Sequence, residues 1–162
     1  NKHWSMLMLK PGDQAIDFNM QIDDGSYITL NSFPNRNIVL YFYPKDDTPG
    51  CTIEAIDFTT QKQAFEDCGT TIIGVSADSI AKHKKFIEKH QLDIILASDE
   101  SKSVCQDYGV WIEKSMYGKK FMGINRATIL INKDKKVIQS WYKVSVKGHV
   151  DEVLELAKNI EN

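Results

Sequence analysis

The loop that carries Cys51 is the part of the sequence best suited to chemistry. It runs Tyr43-Pro44-Lys45-Asp46-Asp47-Thr48-Pro49-Gly50-Cys51-Thr52. The apolar run Ile38–Tyr43 before it predicts a buried strand, and residues 52–67 predict a helix, so Cys51 opens that helix. The positive end of the helix dipole and the free N–H groups of the first turn favour a thiolate over a thiol. Because the thiolate is the nucleophilic form of cysteine, this placement predicts sulfur chemistry at Cys51.

Three neighbours of Cys51 have side chains that suit a reactive sulfur. Thr48, three residues earlier, can turn its hydroxyl toward the sulfur or toward a bound oxygen. Pro44 stiffens the loop and can shield a thiolate from water, and Glu54, one turn into the helix, can hold an arginine in place. A second interpretation stays open on position alone, namely that Cys51 is a buried structural cysteine, since free cysteines are commonly buried.

An alternation of strands and helices would position this loop. A β-hairpin around Asp24-Gly25 is predicted first, from Gln21–Asp23 and Tyr27–Thr29. Later strands are predicted at Thr70–Ser76, Ile94–Ala97, Val110–Glu113, Ala127–Ile131 and Val137–Tyr142, and later helices at Ile80–His90, Ser101–Tyr108 and from Val150 to Ile160. This order predicts an α/β sandwich with a mixed central sheet flanked by helices.

Composition limits the possible classes of function. A chain of 162 residues with 42% hydrophobic residues suits one domain, and we expect a single domain over residues 1–162. Twenty basic and 22 acidic residues give a net charge of −2, which argues against a nucleic-acid binder that relies on a basic field. No apolar run approaches 18 residues, so we expect no membrane-spanning helix. Three widely spaced cysteines without Cys-x-x-Cys argue against a disulfide scaffold and favour a reducing cytoplasm.

Two separated motifs resemble those of the peroxiredoxins. The pattern Pro44-x-x-x-Thr48-x-x-Cys51 resembles their active-site motif, and the longer string from Tyr41 to Thr52 resembles the bacterioferritin-comigratory, or Q-type, branch. A second block that resembles the same branch consists of Tyr108-Gly109-Val110-Trp111, Tyr117-Gly118-Lys119-Lys120, Met122-Gly123-Ile124 and Arg126. The resemblance implies a thioredoxin-like fold and the reduction of hydrogen peroxide or alkyl hydroperoxides.

The resemblance also implies a role for each candidate residue. Cys51 would be the peroxidatic cysteine, whose thiolate attacks a peroxide oxygen and becomes a sulfenic acid. Thr48 would hydrogen-bond the peroxide, and Pro44 would shape and dry the pocket. Arg126 would face the sulfur from a separate strand and stabilise the thiolate and the developing charge. Glu54 would orient Arg126; as an alternative, it is an ordinary carboxylate of the first helical turn.

The two usual resolving positions of this branch hold no cysteine. The residue five positions after Cys51 is Ile56, and the predicted helix Ile80–His90 contains none. Cys68 and Cys105 remain as candidates, but an unbroken helix would place Cys68 about 25 Å from Cys51, and Cys105 suits a packing role. We therefore expect a one-cysteine mechanism without a cofactor, in which thioredoxin, glutaredoxin or glutathione reduces the sulfenic acid. The chain also lacks Gly-Gly-x-Gly and a C-terminal Tyr-Phe extension, so we expect a monomer or small dimer.

Other interpretations fit the same residues less well. His83 and His90 would share a helix face, but no third ligand is evident, so we expect no metal and partly exposed side chains. Asp46 and Asp47 are expected to solvate their loop. A thiol-disulfide oxidoreductase would need a Cys-x-x-Cys motif, and a binding or holdase protein would not need Thr48, Cys51 and Arg126 together.

Overall fold

A seven-stranded sheet carries the loop and the helix that hold Cys51. This computed structural model describes residues 7–161. The strands of the sheet are β1 (Met20–Ile22), β2 (Tyr27–Ile28), β3 (Asn37–Phe42), β4 (Thr70–Ser76), β5 (Ile95–Ser98), β8 (Ala127–Ile131) and β9 (Val137–Trp141). They lie in the order β2-β1-β5-β4-β3-β8-β9, with β3, β4 and β5 parallel and the other neighbouring pairs antiparallel. The predicted mixed sheet and its N-terminal hairpin are thus confirmed.

Among the described residues, five α-helices and a separate hairpin complete the architecture. The helices are α1 (Pro49–Thr60), α2 (Lys62–Asp67), α3 (Ile80–His90), α4 (Ser103–Asp107) and α5 (His149–Lys158). Strands β6 (Trp111–Met116) and β7 (Lys119–Ile124) pair with each other outside the main sheet. Within residues 7–161, no helix has the length and apolar character needed to cross a membrane.

The central sheet divides the apolar core into two clusters. Successive side chains of a strand point to opposite faces, and β3 is buried along its whole length. Leu40 and its alternate neighbours pack into a cluster that contains Cys105. Tyr41 packs into the other cluster, which contains Cys51 and the buried faces of α1, α3 and α5. Cys51 and Cys105 therefore lie on opposite faces of the sheet.

The helix predicted over residues 52–67 begins earlier and is interrupted. It starts at Pro49 and breaks at Gln61, so that α1 and α2 are separate helices. Two β-branched residues precede the break, and their hydroxyls bond elsewhere: Thr59 Oγ1 accepts from the Asp93 N–H and Thr60 Oγ1 donates to the Ile56 carbonyl. β-Branched residues and such local bonds weaken a helix, which accounts for the interruption.

The hairpin β6–β7 also differs from the prediction. Only the strand Val110–Glu113 was predicted there, whereas β6 continues to Met116 and β7 was missed. Most of β7 is exposed to solvent, including the apolar Phe121 and Met122, so it lacks the buried alternation that marks a strand.

Candidate active site

The loop that carries Cys51 follows directly after the end of β3. The loop leads into α1, whose N-cap residue is Thr48 and whose first residue is Pro49. Proline suits this first position, because its fixed φ fits a helix and its missing N–H is not needed there. Cys51 is therefore the third residue of α1, in the turn where the helix dipole is positive. Its side chain is only 2% exposed.

Strand pairing brings Arg126 to the same place from far along the chain. β8 runs antiparallel to β3, with Ala127 beside Phe42, so Arg126 lies at the sheet edge where the Cys51 loop departs. Arg126 Nη2 donates to Cys51 Sγ at 3.2 Å, and Arg126 Nη1 donates to Glu54 Oε1 at 2.6 Å. The close approach depends on Gly50, where a Cβ would lie 3.2 Å from Arg126 Nη2. The structure thus joins Cys51, Arg126 and Glu54 in one cluster.

The Glu54 carboxyl is buried in this cluster and is incompletely bonded. Burial raises the pKa of Glu54 to about 7, although the guanidinium of Arg126 opposes the shift. Its second oxygen, Oε2, has no hydrogen-bond partner among the described residues. Burial also disfavours the charged form of Arg126, but the charges of Glu54 and Cys51 outweigh this effect and raise the pKa of Arg126. The guanidinium beside the sulfur therefore stays charged.

Thr48 and Pro44 both lie in the loop that leads to Cys51. Thr48 Oγ1 donates its proton to the Lys45 carbonyl at 2.9 Å, so its oxygen remains able to accept a hydrogen bond. Pro44 is exposed, in the first turn of the loop. The two residues thus flank the approach to α1.

The loop aspartates differ from the prediction that they are merely solvated. Asp46 is buried: its Oδ1 accepts from the Tyr43 hydroxyl at 2.5 Å, and its Oδ2 lies 2.6 Å from His83 Nδ1. Asp47 is exposed and pairs with Lys89 at 2.7 Å and His90 at 2.8 Å. His83 is fully buried, so its predicted partial exposure was wrong. The residues described contain no group of three or more His, Cys, Asp or Glu arranged to hold a metal.

Cys68 and Cys105 are free thiols that lie away from Cys51. Cys68 follows α2, and its thiol donates to the Phe65 carbonyl at 3.3 Å. It precedes β4 at the end where β4 pairs with the start of β3, whereas Cys51 lies beyond the other end of β3. Six strand residues span about 20 Å. Cys105 lies across the sheet, where burial, and then the charge of Asp99, raises its pKa.

Lys114 of β6 is a second cation at this site that the sequence did not indicate. Its Nζ donates to the Ile124 carbonyl at 2.5 Å, two residues before Arg126. Its aliphatic chain lies over Gly123, where a Cβ would be 3.2 Å from Lys114 Cδ. Burial and the neighbouring Arg126 lower the pKa of Lys114, and the charge of Cys51 opposes them. Nothing local in the sequence indicates this placement, because it depends on the β6–β7 pairing.

Comparisons with known proteins agree with this site. Residues 11–140 match the model of the AhpC/TSA family. The chain is similar to Peroxiredoxin Bcp of Bacillus subtilis, with 43% identity over 154 residues that cover 95% of this chain and 98% of the relative. It is also similar to Peroxiredoxin Bcp of Escherichia coli, with 37% identity over 94% of this chain and 98% of the relative.

Solved structures show the same architecture. Peroxiredoxin Q of Xanthomonas campestris superimposes with a TM-score of 0.83 at 40% identity, over 87% of this chain and 89% of that one. BcpB of Mycobacterium tuberculosis superimposes with a TM-score of 0.83 at 31% identity, over 95% and 99%. With the α/β fold and the free cysteine beside a half-buried arginine, these matches show that the chain belongs to the AhpC/TSA family and is a thioredoxin-fold peroxiredoxin of the bacterioferritin-comigratory (Q-type) branch, a thiol-dependent peroxidase.

Proposed function

We propose that Cys51 is the peroxidatic cysteine and that it reduces hydrogen peroxide and alkyl hydroperoxides by a one-cysteine mechanism. The observation that carries the proposal is the contact of 3.2 Å between Arg126 Nη2 and Cys51 Sγ. Glu54 holds the same guanidinium by its other nitrogen. A fixed cation at a sulfur stabilises both the thiolate and the charge that develops as a peroxide bond breaks.

The proposed first half-reaction transfers one oxygen to sulfur. The Cys51 thiolate attacks the terminal oxygen of the hydroperoxide, so that an S–O bond forms while the O–O bond breaks. The electron pair leaves on the distal oxygen, which takes a proton and departs as water or an alcohol. Arg126 stabilises this departing charge, the free lone pairs of Thr48 Oγ1 accept a hydrogen bond from the peroxide, and Pro44 shapes the approach. Cys51 is left as a sulfenic acid.

The proposed second half-reaction uses thiols from outside the chain. A first thiol displaces water from the sulfenic acid and forms a mixed disulfide, and a second thiol releases reduced Cys51 together with an external disulfide. Thioredoxin, glutaredoxin and glutathione are the candidate reductants. The positions of Cys68 and Cys105 support this external route, because one lies at the far end of β3 and the other lies across the sheet. A disulfide needs Cα atoms about 4.4–6.8 Å apart.

A related structure supports the choice of substrate. A solved structure of the Xanthomonas campestris bacterioferritin comigratory protein is described as giving insight into its alkyl peroxide reduction activity. It is 40% identical to this chain and superimposes with a TM-score of 0.83. We extend alkyl hydroperoxides to this chain as proposed substrates. We also propose that the chain acts as a single domain and a monomer or small dimer in the cytoplasm, where its three free thiols suit a reducing environment.

Mass spectrometry after one equivalent of hydrogen peroxide tests the proposed chemistry. Reduced protein is expected to gain about 16 Da on Cys51, in a form that a sulfenic-acid reagent traps. Cys51→Ser should keep the fold and lose the reaction. A loss of about 2 Da that maps to Cys51 with Cys68 or Cys105 would contradict the one-cysteine mechanism. Absence of a rapid reaction at Cys51 would contradict its peroxidatic role.

A further inference from the structure

Two histidines of helix α3 contact the loop that carries Cys51, and neither has a role in the proposed peroxidase chemistry. His83 and His90 lie two turns apart on this helix. His83 contacts Asp46, and His90 contacts Asp47, the next residue of the loop. The first contact is buried and the second is half exposed to solvent. The buried contact is the one that water and salt cannot screen.

The geometry around His83 indicates a charged pair. His83 Nε2 lies 2.9 Å from the Ala97 carbonyl, which only accepts hydrogen bonds, so this nitrogen carries a proton. Asp46 accepts from the Tyr43 hydroxyl on one oxygen and faces His83 Nδ1 on the other. A carboxylate there requires a second proton on the imidazole, on Nδ1. Burial opposes this imidazolium, but the hydrogen bond and charge of Asp46 outweigh burial and raise the pKa of His83.

The same contact belongs to a wider buried network beneath the loop. The backbone N–H of Asp46 donates to Asp78 Oδ2 at 2.8 Å, and the Ser76 hydroxyl donates to the same oxygen at 2.7 Å. The charged or titratable groups that face His83 are thus Asp46 from the loop, Asp78 from the end of β4 and Tyr43 beyond Asp46. Within this network, Asp46 lies five residues before Cys51, and its partners Asp78 and His83 come from just after β4 and from α3. Loss of His83 would leave Asp46 buried and uncompensated, which is a costly state.

We propose that His83 and Asp46 are positioning residues that hold the Cys51 loop in its peroxide-reactive conformation and that limit the access of the thiol reductant. The proposal rests on the function proposed for Cys51. Cys51 is only 2% exposed, and a thiol reductant is much larger than a peroxide oxygen. The first turn of α1 must therefore move before the reductant reaches the sulfenic acid, and this movement pulls the loop away from α3. The Asp46–His83 contact favours the peroxide step and opposes the reduction step.

The test measures the two half-reactions separately in His83→Leu and Asp46→Asn. We expect the rate constant for reaction with hydrogen peroxide to fall about tenfold, which corresponds to the loss of one buried charged hydrogen bond. We expect the rate constant for reduction of preformed sulfenic acid by dithiothreitol to rise several-fold. Asp46→Asn has nearly the size of the native residue and keeps the experiment informative if His83→Leu does not fold. The double variant should match the single variants, because both act through one contact.

The matched control is Tyr108→Phe, on the other face of the sheet. It removes a buried hydroxyl that bonds the backbone of Ile16 and leaves the Cys51 loop untouched. It should lower the melting temperature without shifting the two rate constants in opposite directions. If His83→Leu and Asp46→Asn slow both half-reactions, or change neither, the proposal is wrong.

Amide hydrogen exchange, measured without peroxide, tests the positioning role of His83 and Asp46 independently of the peroxidatic role proposed for Cys51. Residues 46–52 should exchange faster in His83→Leu and Asp46→Asn than in the wild type. Unchanged exchange would overturn the positioning role, whether or not Cys51 proves to be peroxidatic. Faster exchange in a protein whose Cys51 does not react with peroxide would instead contradict the proposed function alone.

Discussion

One guanidinium contacts both the sulfur and the carboxylate of this site. Arg126 uses one terminal nitrogen for Cys51 and the other for Glu54, which fixes the plane of the group relative to the sulfur. A lysine offers one compact charge and cannot make both contacts with the same geometry. The orientation of the cation, as well as its charge, is therefore part of the proposed chemistry.

Arg126→Lys is expected to lower kcat/KM for hydrogen peroxide by about a hundredfold, because the positive charge stays but the fixed two-nitrogen contact is lost. A steady-state or stopped-flow peroxidase assay measures the effect. Arg36→Lys is the matched control: Arg36 pairs with Glu66 and Thr71 at the other end of the sheet, and its replacement should leave kcat/KM unchanged. Equal activity of Arg126→Lys and the wild type would contradict the role of the two-nitrogen contact.

Glu54 makes stability depend on pH in an unusual direction for a carboxyl group. Its pKa is raised from 4.5 to about 7 because burial disfavours the carboxylate. Between pH 4.5 and 7, the folded state keeps a proton on Glu54 that the unfolded state has lost. The stabilisation that this proton gives the folded state is therefore fully present below pH 4.5 and disappears as the pH rises through 7.

Glu54→Gln removes this titration and should abolish the corresponding loss of stability. The free energy of unfolding of the wild type should fall, relative to the variant, by roughly 1–3 kcal/mol between pH 4.5 and pH 8. Urea denaturation at several pH values measures the difference. Glu88→Gln, an exposed substitution with the same change in charge, should give a nearly constant difference. Parallel pH curves for Glu54→Gln and the wild type would contradict the raised pKa.

At the scale of elements, the sequence predicted the strand and the loop that hold Cys51 and a helix after them, although α1 begins three residues earlier than predicted. β4, α3 and β8 have the predicted bounds, because their apolar patterns reflect contacts with the core. The apolar residues of α1 do not mark its buried face: Ile53 is 53% exposed and Ile56 is 40% exposed, while the charged Glu54 is buried. Glu54 is buried because Arg126, 72 residues later, supplies its partner. A local apolar pattern carries no signal of such a partner.

The contacts of the loop with α3 were missed for the same reason. Asp46 and His83 are 37 residues apart, and each alone resembles an ordinary polar residue of a loop or a helix. The sequence did show two adjacent aspartates and two histidines seven residues apart. Only the packing of α3 beside the loop joins these two patterns into pairs.

The variant Ile56→Cys tests whether the first turns of α1 unwind after Cys51 is oxidised. Position 56 lies about 140° around the helix from Cys51, so the introduced thiol cannot reach the buried sulfur while the helix is intact. If the first turns open after oxidation, one equivalent of peroxide should lower the mass by about 2 Da through a disulfide between the two thiols. Peptide mapping locates the disulfide.

Thr60→Cys is the control for Ile56→Cys. It is also exposed, but it lies at the far end of α1, about 13 Å along the helix axis from Cys51. This variant should keep the gain of about 16 Da that marks a sulfenic acid. A stable sulfenic acid in Ile56→Cys as well would show that α1 stays wound after oxidation.

At the scale of the whole molecule, the sheet separates the proposed peroxidatic cysteine, Cys51, from a cysteine that packs in the core. Cys105 is fully buried beside Val104 and Tyr108, and its backbone N–H donates to Asp99. Cys105→Ala should lower the free energy of unfolding by about 1–2 kcal/mol through lost packing, and it should leave kcat/KM unchanged. Urea denaturation and a peroxidase assay measure the two effects. A loss of turnover as large as that of Cys51→Ser would instead assign Cys105 a part in the reaction.

Arg126 lies 75 residues after Cys51 and reaches it only when β8 pairs with β3. During synthesis, the ribosome releases the cysteine well before the arginine that contacts it. A partly made or misfolded copy therefore carries an ordinary thiol, with no guanidinium beside it to speed its oxidation. If Cys51 is peroxidatic as proposed, its high reactivity arises only once β8 has paired with β3, at the point where the site needed for turnover is also assembled.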